Sequence, residues 1–203
     1  MQTYGPIKLT FPDRKDWSLS NILSIQAKRF GDKPFLTEPG RGSFGYRQMD
    51  EVASRIAGGL ITRGFKLGDR LMIYMDNRYE YIHAWFGATR AGVVEVPTNT
   101  GYFGDFLKHA LNVTTPRGVV VGSNYVSRFV DIAASVKHLG LCFFVIGDSA
   151  AEDVRALQGA GYAAEPYETL AKSAPAAQLP AQVRWDLGAI MFTSGTTGPS
   201  KGV

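Results

Sequence analysis

Residues 71–96, LMIYMDNRYEYIHAWFGATRAGVVEV, contain two short apolar runs separated by a segment with helical periodicity. The runs are Leu71–Met75 and Val93–Val96, and neither has the polar–apolar alternation of a half-exposed strand. The segment between them repeats its apolar positions at spacings of three and four: Ile82, Trp85, Phe86 and Thr89. Strands that are apolar on both faces belong in a sheet covered on both sides, as parallel sheets with helical crossovers are. This stretch therefore predicts one strand–helix–strand unit of a parallel sheet.

The same succession of apolar runs and helical segments continues along the chain. Further runs occur at Val119–Val121, Leu141–Ile146 and Leu187–Phe192. Helical spacing also relates two other groups: Phe106, Leu107 and Ala110, and then Val126, Phe129, Val130 and Ala133. We therefore predict an α/β fold with a doubly wound, mostly parallel sheet flanked by helices.

A hairpin and a long helix are predicted upstream of these units. Phe35–Glu38 and Ser43–Tyr46 flank the turn sequence PGRG, and residues 46–63 have apolar positions at helical spacing. Four glycines that follow periodic segments are predicted to end helices in the left-handed conformation: Gly31, Gly64, Gly92 and Gly159. Two helix starts have the cap-x-x-Glu spacing: Asn77 with Glu80, and Ser149 with Glu152.

Residues 1–203 are expected to form one incomplete domain with four consecutive parts. These are a hairpin and helix over 18–64, βα repeats over 68–147, a connection over 148–186, and a strand with a glycine-rich loop over 187–203. Within this connection, residues 158–184 are rich in Ala, Pro, Gln and Gly and predict a surface segment with one short helix near 167–172.

Composition excludes several classes of protein. The 203 residues are 45% apolar and 20% charged, which argues against disorder, collagen-like repeats and coiled coils. A net charge of +4 without a run of basic residues does not favour nucleic acid as a partner. Residues 1–17 lack the apolar centre of a secretory signal, and no apolar stretch reaches the roughly 18 residues of a transmembrane segment. The single cysteine, Cys142, predicts a buried, inert thiol and a cytoplasmic chain.

Other residues with reactive side chains are interpreted as structural. His83 and His109 lie off the apolar faces of their helices, His138 lies near a helix end, and the three make no zinc-ligand spacing. Asp76 is interpreted as a surface-loop residue and Glu80 as part of a helix cap. Three aromatic residues at helical core spacing are expected to pack in the interior: Trp85, Phe86 and Phe129.

Two glycine-rich stretches compete for the role of a nucleotide-binding loop. Residues 40–45, GRGSFG, match G-x-G-x-x-G, but the acidic residue that ends the next strand, Asp76, comes too late for a dinucleotide fingerprint. The hairpin is therefore the preferred interpretation of residues 40–45.

The second stretch is residues 193–203, TSGTTGPSKGV, and it directly follows an apolar run. Its glycines allow sharp turns that point several backbone N–H groups at one anion. Its hydroxyl side chains can donate to phosphate oxygens or help to hold Mg²⁺, and Lys201 adds a positive charge. A flexible linker is the alternative, but a linker needs no buried strand before it. A Walker loop is excluded, because Lys201 follows Ser200 and precedes Gly202 instead of standing in G-K-[ST].

Residues 192–203, FTSGTTGPSKGV, resemble the AMP-binding signature of the adenylate-forming superfamily. That superfamily includes acyl-CoA synthetases, luciferases and the adenylation domains of peptide synthetases. Many members have proline directly before the lysine, where this chain has Pro199 and then Ser200. The resemblance continues upstream in residues 46–60, in Gly68-Asp69-Arg70, in Asn77 with Glu80, and in VEVPTN at 94–99. The chain is most similar to ligases of the carnitine/crotonobetaine and fatty-acid CoA type.

The resemblance implies a two-step reaction. A carboxylate attacks the α-phosphate of ATP and releases pyrophosphate, and the thiol of coenzyme A then displaces AMP from the acyl-adenylate. It implies a small-molecule carboxylic acid, ATP, Mg²⁺ and coenzyme A as the reactants and cofactors. It assigns nucleotide binding to eight residues: Thr193, Ser194, Gly195, Thr196, Thr197, Gly198, Ser200 and Lys201. Thr193 would approach the metal, and Lys201 would be the catalytic residue that stabilises charge.

The resemblance also implies what this chain lacks. Members of the family have a Gly-x-Thr-Glu segment, a ribose-binding aspartate, most of the acyl pocket and a mobile C-terminal domain after this loop. We therefore expect the N-terminal portion of the large adenylation domain, inactive alone. An adenylating enzyme that loads an aryl or amino acid onto a carrier protein, and a truncated binding module without chemistry, stay open as alternatives. A homodimer also stays open.

Overall fold

The computed structural model describes residue 13 and residues 17–136, 139–183, 185–193 and 201–203, with only the backbone of Lys201. The helices are α1 (Leu19–Phe30), α2 (Tyr46–Thr62), α3 (Tyr79–Arg90), α4 (Gly104–Thr114), α5 (Val126–Asp131), α6 (Ala133–Val136), α7 (Ala150–Gly159) and α8 (Glu168–Ala171). The strands are β1 (Pro34–Glu38), β2 (Gly42–Gly45), β3 (Arg70–Tyr74), β4 (Val94–Pro97), β5 (Gly118–Gly122), β6 (Cys142–Ile146), β7 (Ala163–Pro166), β8 (Phe192–Thr193) and β9 (Lys201–Gly202).

The central sheet has five parallel strands in the order β4-β3-β5-β6-β7. From β3 the chain passes outward to β4 through α3, returns past β3 to β5 through α4, and continues in that direction to β7. This reversal of winding puts α3 on one face of the sheet and α4, α5 and α7 on the other. The predicted doubly wound, mostly parallel sheet is therefore confirmed.

Alternate side chains of each strand enter two different cores, one on each face of the sheet. Met72 and Tyr74 pack with α4 and α5, whereas Leu71 and Ile73 pack with α2, α3 and α8. All four side chains are fully buried. Each such burial contributes about 1.5–3 kcal/mol, so the uninterrupted apolar runs fix both faces of the sheet at once.

The predicted hairpin of β1 and β2 is confirmed, and it covers the outer side of α2 and α3. Glu38 pairs with Gly42 at its closed end. Gly40 and Gly42 have φ angles of 80° and 92°, which only glycine adopts without steric cost. This turn explains the glycines at 40 and 42 without a nucleotide.

A buried ion pair ties the three N-terminal helices together. Arg90, at the end of α3, is 3% exposed and donates to Asp50 Oδ1 of α2 at 2.5 Å. The same guanidinium donates to Ser24 Oγ of α1 at 2.7 Å and to Ser54 Oγ.

The segment after α8 crosses α2 in close contact. A Cβ at Gly58 would lie 2.0 Å from the carbonyl oxygen of Ala174, so only glycine permits this approach. No helix in the described part of the chain combines the length and the apolar composition that crossing a bilayer requires.

Three of the four predicted glycines follow helices with a positive φ angle, although the ψ angle of Gly31, −120°, lies outside the left-handed helical region. Gly31, Gly64 and Gly92 have φ angles of 55°, 81° and 71°. The prediction for Gly159 is wrong, because α7 includes that residue and the positive φ angle, 91°, occurs at Gly161.

Both predicted helix caps are wrong in their hydrogen bonds. The first residue of α3 is Tyr79, and its N–H donates to Glu38 Oε2 rather than to Asn77. Ser149 occupies the cap position of α7, but its Oγ lies 2.8 Å from Asp153 Oδ2 and caps no backbone amide. Cap spacing in the sequence cannot identify a distant carboxylate such as Glu38, nor a competing carboxylate such as Asp153 within the same helix.

The expectation that His83 lies off the packed face of its helix is wrong. Its side chain is 7% exposed and lies against the rings of Phe44 and Tyr79, at centroid distances of 4.6 and 6.2 Å. The hairpin covers this face of α3, which the helical periodicity marks as polar. Burial lowers the pKa of the imidazole to about 4.

The structure also bears on three smaller predictions, which concern Phe106, the 148–186 connection and Cys142. The position expected for Phe106, on the apolar face of its helix, is wrong: the side chain is 60% exposed, because α4 buries Leu107, Ala110 and Leu111 instead. β7 lies inside the segment expected to be a surface connection, and its sequence AAEP has no apolar run to reveal it. Cys142 is half-buried, and burial raises the pKa of its thiol to about 11, as an inert thiol requires.

Candidate functional site

The chain segment that leads to the glycine-rich loop joins the free edge of β4. The Glu95 N–H donates to the Gly188 carbonyl oxygen at 3.0 Å, and the Ile190 N–H donates to the Glu95 carbonyl oxygen at 2.8 Å. Glu95 and Ala189 form a parallel bridge. The strand expected at Leu187–Phe192 is therefore present as a short parallel addition to the sheet, and the loop follows its carboxyl end.

A two-stranded hairpin, β8 and β9, brings the two ends of the loop together. Thr193 pairs with Lys201, and Phe192 pairs with Gly202. Two further backbone bonds of 2.8 Å join Met191 and Val203. The structure thus places the first and last residues of the expected phosphate loop opposite each other, with the Thr193 side chain exposed.

The remaining expected loop residues are not placed by the structure. Ser194, Gly195, Thr196, Thr197, Gly198 and Ser200 lie outside the described residues, as do Pro199, His138 and the side chain of Lys201.

The base of the hairpin is anchored to the loop between β4 and α4. The ring of Phe192 lies edge-on to that of Tyr102, with centroids 6.1 Å apart. Ile190 packs against the core on the α4 face, and a Cβ at Gly202 would lie 3.0 Å from Ile190 Cγ2. The hairpin therefore sits where β4 ends, at the edge of the sheet that holds the carboxyl ends of its parallel strands.

Two side chains that sequence reasoning did not assign hold the β4–α4 loop in place. The Tyr74 hydroxyl lies 3.0 Å from the Thr100 carbonyl oxygen and also contacts the carbonyl oxygen of Tyr102. Arg128 donates to the Tyr74 hydroxyl at 2.8 Å and to the Thr100 carbonyl. Burial raises the pKa of Tyr74, which keeps its hydroxyl protonated as a donor. No spacing in the sequence links these residues, since they come from β3 and α5.

Two polar cavities lie at the carboxyl ends of the strands. One, of about 350 Å³, lies between the end of β3 and Pro97–Thr100, and the other, of about 270 Å³, lies between the ends of β3, β5 and β6. Asp76 lines both, and the Tyr125 hydroxyl donates to its carboxylate at 2.5 Å. Asp76 is exposed, as a surface-loop residue should be.

Glu80 is an ion-pair centre rather than a helix cap. Burial alone would raise the pKa of its carboxyl, but hydrogen bonds from Arg41 and Arg78 lower it to about 2. The contacts measure 2.7 Å to Arg41 and 2.6 Å to Arg78. Glu80 is therefore a fixed anion at neutral pH and not a proton carrier.

Glu95 is the buried acid of this region. It is 2% exposed, its backbone carries the parallel bridge to Ala189, and Tyr81 is the hydrogen-bond partner of its carboxyl. Burial raises the pKa of the carboxyl to about 7. Sequence reasoning singled out VEVPTN as a motif but gave this residue no role.

A cation at the glycine-rich loop would find few protein ligands among the described residues. Within the described ranges no group of three or more His, Cys, Asp or Glu side chains converges. Mg²⁺ in nucleotide enzymes keeps few protein ligands and takes the rest from phosphates and water. The exposed neutral hydroxyl of Thr193 fits that type of site.

Comparisons with known proteins give consistent relatives. The chain is 29% identical, over 78% of its length, to a medium/long-chain-fatty-acid–CoA/3-oxocholest-4-en-26-oate–CoA ligase of Mycobacterium marinum. It is 28% identical, over 90% of its length, to the human long-chain fatty acid transport protein 6. It spans 28% of the length of each of these two proteins.

Solved structures have the same fold. A putative long-chain-fatty-acid CoA ligase from Rhodopseudomonas palustris is 25% identical with a TM-score of 0.74, and the match covers 91% of this chain and 43% of that one. An anthranilate CoA ligase bound to anthranoyl-AMP has a TM-score of 0.76 at 19% identity, over 91% of this chain and 33% of that one. The model of the AMP-binding enzyme family matches residues 23–203, and the chain therefore belongs to that family.

Proposed function

We propose that this chain is the N-terminal part of an ATP-dependent acyl-CoA synthetase, an acid–thiol ligase. The whole enzyme activates a carboxylic acid as an acyl-adenylate and transfers the acyl group to coenzyme A. The observation that carries the proposal is the family match over residues 23–203, which includes the complete loop sequence. The names of the relatives, which include fatty-acid CoA ligases, favour a fatty acid as the substrate class.

In this proposal residues 193–201 bind the phosphates of ATP. The backbone pairing of Thr193 with Lys201 supports it, because the pairing brings the two ends of the loop together near the carboxyl end of β4. Both reactants are anions, so the loop amides and the Lys201 ammonium group lower the repulsion between them and stabilise the departing pyrophosphate. Thr193 would hold Mg²⁺, which when bound neutralises phosphate charge.

The proposal includes the inactivity of this chain on its own. Relatives extend far beyond the part that it matches, and the groups that bind adenine and the acyl chain are expected there. ATP–pyrophosphate exchange tests this directly, with the 203-residue chain compared with a longer form that continues into the segments found in relatives. We expect exchange only from the longer form, and exchange by the 203-residue chain would refute this part of the proposal.

Lys201 is tested in the longer form by Lys201→Ala. We expect exchange to fall by about 10²- to 10³-fold, the usual loss for one oriented donor to a developing charge. Lys172→Ala is the matched control, because Lys172 is a residue at the end of α8, far along the chain from the loop, and should leave the rate unchanged. A wild-type rate in Lys201→Ala would remove this residue from the mechanism.

Compartment and assembly are also part of the proposal. A single half-buried cysteine supports a reducing compartment, and we propose the cytoplasm. A homodimer stays a prediction, which light scattering of the purified chain can test.

A further inference from the structure

The hairpin at the ends of the proposed phosphate loop is attached to the rest of the protein by one face. Ile190 and Phe192 pack against the core on the α4 face of the sheet, whereas Met191 and Val203 are 53% and 75% exposed. Alternate residues of a strand point to opposite sides, so two side chains of the incoming strand carry this attachment. The position of Thr193, the first residue of the loop, therefore depends on what fixes the ring of Phe192.

The ring of Phe192 rests on a residue of the β4–α4 loop. Tyr102 lies edge-on to it, with centroids 6.1 Å apart and ring planes at 77°. The carbonyl oxygens of residues 100 and 102 in this loop are bound by side chains from β3 and α5. Tyr102 therefore holds Phe192 only as firmly as those side chains hold the loop.

One of these side chains is Tyr74 in β3. Its ring is fully buried and lies edge-on to the rings of Tyr125 and Phe129, at centroid distances of 5.5 and 5.2 Å. This packing fixes the hydroxyl 3.0 Å from the Thr100 carbonyl oxygen and in contact with the Tyr102 carbonyl oxygen. A hydroxyl has a single proton, so Tyr74 can donate to only one of the two carbonyls at a time.

Arg128 in α5 supplies the second donor. Its Nη1 donates to the Tyr74 hydroxyl at 2.8 Å and also to the Thr100 carbonyl oxygen. Its guanidinium lies 4.8 Å from the ring centroid of Tyr125, and stacking of this kind orients a planar cation. With Arg128 on the Thr100 carbonyl, the Tyr74 proton serves the Tyr102 carbonyl, so both loop carbonyls are satisfied together. Hydrogen bonds in such a connected network strengthen one another.

We propose that Arg128 and Tyr74, as one hydrogen-bonded unit, position the phosphate loop for ATP through the contact between Tyr102 and Phe192. They are positioning residues, since neither belongs to the loop. The inference rests on the proposed function and adds a remote requirement to it: the grip on ATP depends on a guanidinium in α5. Small displacements of groups that hold a reacting phosphate have large effects, so loss of this unit should be measurable at the loop.

Amide hydrogen exchange of the 203-residue chain, followed by mass spectrometry, tests the physical link. The variant is Arg128→Leu, with circular dichroism to check the fold. Its matched control is Arg117→Leu, which also removes a guanidinium from an aromatic ring, 5.3 Å from the centroid of Phe65, but at the amino end of β5. We expect Arg128→Leu to speed exchange about tenfold in peptides that cover 99–103 and 190–193, with no change at 142–146.

The peptide at 190–193 is decisive in this experiment. A role confined to the β4–α4 loop would speed exchange at 99–103 alone, and that result would overturn the proposal. No change at either segment, or the same change in Arg117→Leu, would also overturn it.

Nucleotide binding to the longer form of the protein tests the consequence. ATP with Mg²⁺ and AMP are titrated separately in a calorimeter, because AMP lacks the two phosphates that leave as pyrophosphate. We expect Arg128→Leu to weaken ATP binding about tenfold and to leave AMP binding unchanged, and Arg117→Leu to change neither. Unchanged ATP affinity, or equal losses for ATP and AMP, would overturn this inference while the proposed function stands. Absence of ATP binding by the wild-type protein would instead refute the proposed function, and this inference with it.

Tyr74→Phe tests whether the two side chains act as one unit. This substitution keeps the buried ring and removes the hydroxyl. In the double variant with Arg128→Leu, the loss of ATP affinity should be smaller than the product of the two single losses, because each single variant already removes the bond between the side chains. A loss equal to that product would show that they act independently and would contradict the proposal.

Discussion

Removal of the Asp50 carboxylate should destabilise this protein far more than removal of an exposed carboxylate. Arg90 is 3% exposed, and its Nη2 lies 2.5 Å from Asp50 Oδ1. In Asp50→Ala the guanidinium stays buried between α1, α2 and α3 with only neutral acceptors, chiefly the hydroxyls of Ser24 and Ser54. Loss of one partner of a buried ion pair typically costs about 3–5 kcal/mol. The neutral acceptors and the 29% exposure of the Asp50 side chain place the expected loss near the lower end, about 3 kcal/mol.

Urea denaturation followed by circular dichroism measures this loss. The matched control is Asp32→Ala, which removes the partner of Arg47 in an ion pair whose Arg and Asp side chains are 61% and 81% exposed. We expect that control to cost less than about 1 kcal/mol, as exposed pairs do. The double variant Asp50→Ala with Arg90→Met should recover part of the loss, because no charge is then left buried. If Asp50→Ala costs no more than Asp32→Ala, the reasoning about this ion pair is wrong.

Two further predictions concern close packing and a buried acid. Gly58→Ala should lower the free energy of unfolding by more than about 2 kcal/mol, because its Cβ would lie 2.0 Å from the Ala174 carbonyl oxygen. Gly159→Ala, whose Cβ would meet open space, should raise the free energy of unfolding by about 0.5–1 kcal/mol. Equal effects of the two substitutions in a urea titration would contradict the packing argument. The pKa of Glu95 is raised from 4.5 to about 7, so the folded state binds the extra proton and this stabilisation, present below pH 4.5, is lost as the pH rises through 7. His83, with its lowered pKa, makes the free energy of unfolding rise with pH between about pH 4 and 6.5, which opposes the effect of Glu95. The measurement is therefore the difference in free energy of unfolding between Glu95→Gln and wild type. This difference should grow in favour of the variant from about pH 5 to 8. A difference that does not change with pH would show that Glu95 titrates normally.

The parallel sheet could be predicted from the sequence because its strands are buried on both faces. Leu71–Met75 and Val119–Val121 are apolar without interruption, and short runs of this kind are typical of strands that helices cover on both sides. β7 could not be predicted, because an edge strand of sequence AAEP buries little and needs no apolar run. The burial of His83 could not be predicted either, because it depends on contact with a hairpin that lies far away in the sequence.

The candidate site likewise has one part that could be predicted from the sequence and one part that could not. The loop sequence 193–203 could be identified because glycines, hydroxyls and one lysine are consecutive in the chain. The residues that support its base are not consecutive. Tyr74 and Arg128 meet only because β3 and α5 lie together in the fold, and the raised pKa of Glu95 depends on burial that no local pattern reports.

The attachment of Ala189 to β4 has a consequence for biosynthesis. A ribosome completes β4 and the rest of the five-stranded sheet well before it adds residues 188–190, so the outer edge of β4 has no backbone partner during that interval. Unpaired strand edges invite association between nascent chains. The segment that seals this edge is thus made later than the sheet itself, and a nascent chain stalled before Gly188 would expose an aggregation-prone border.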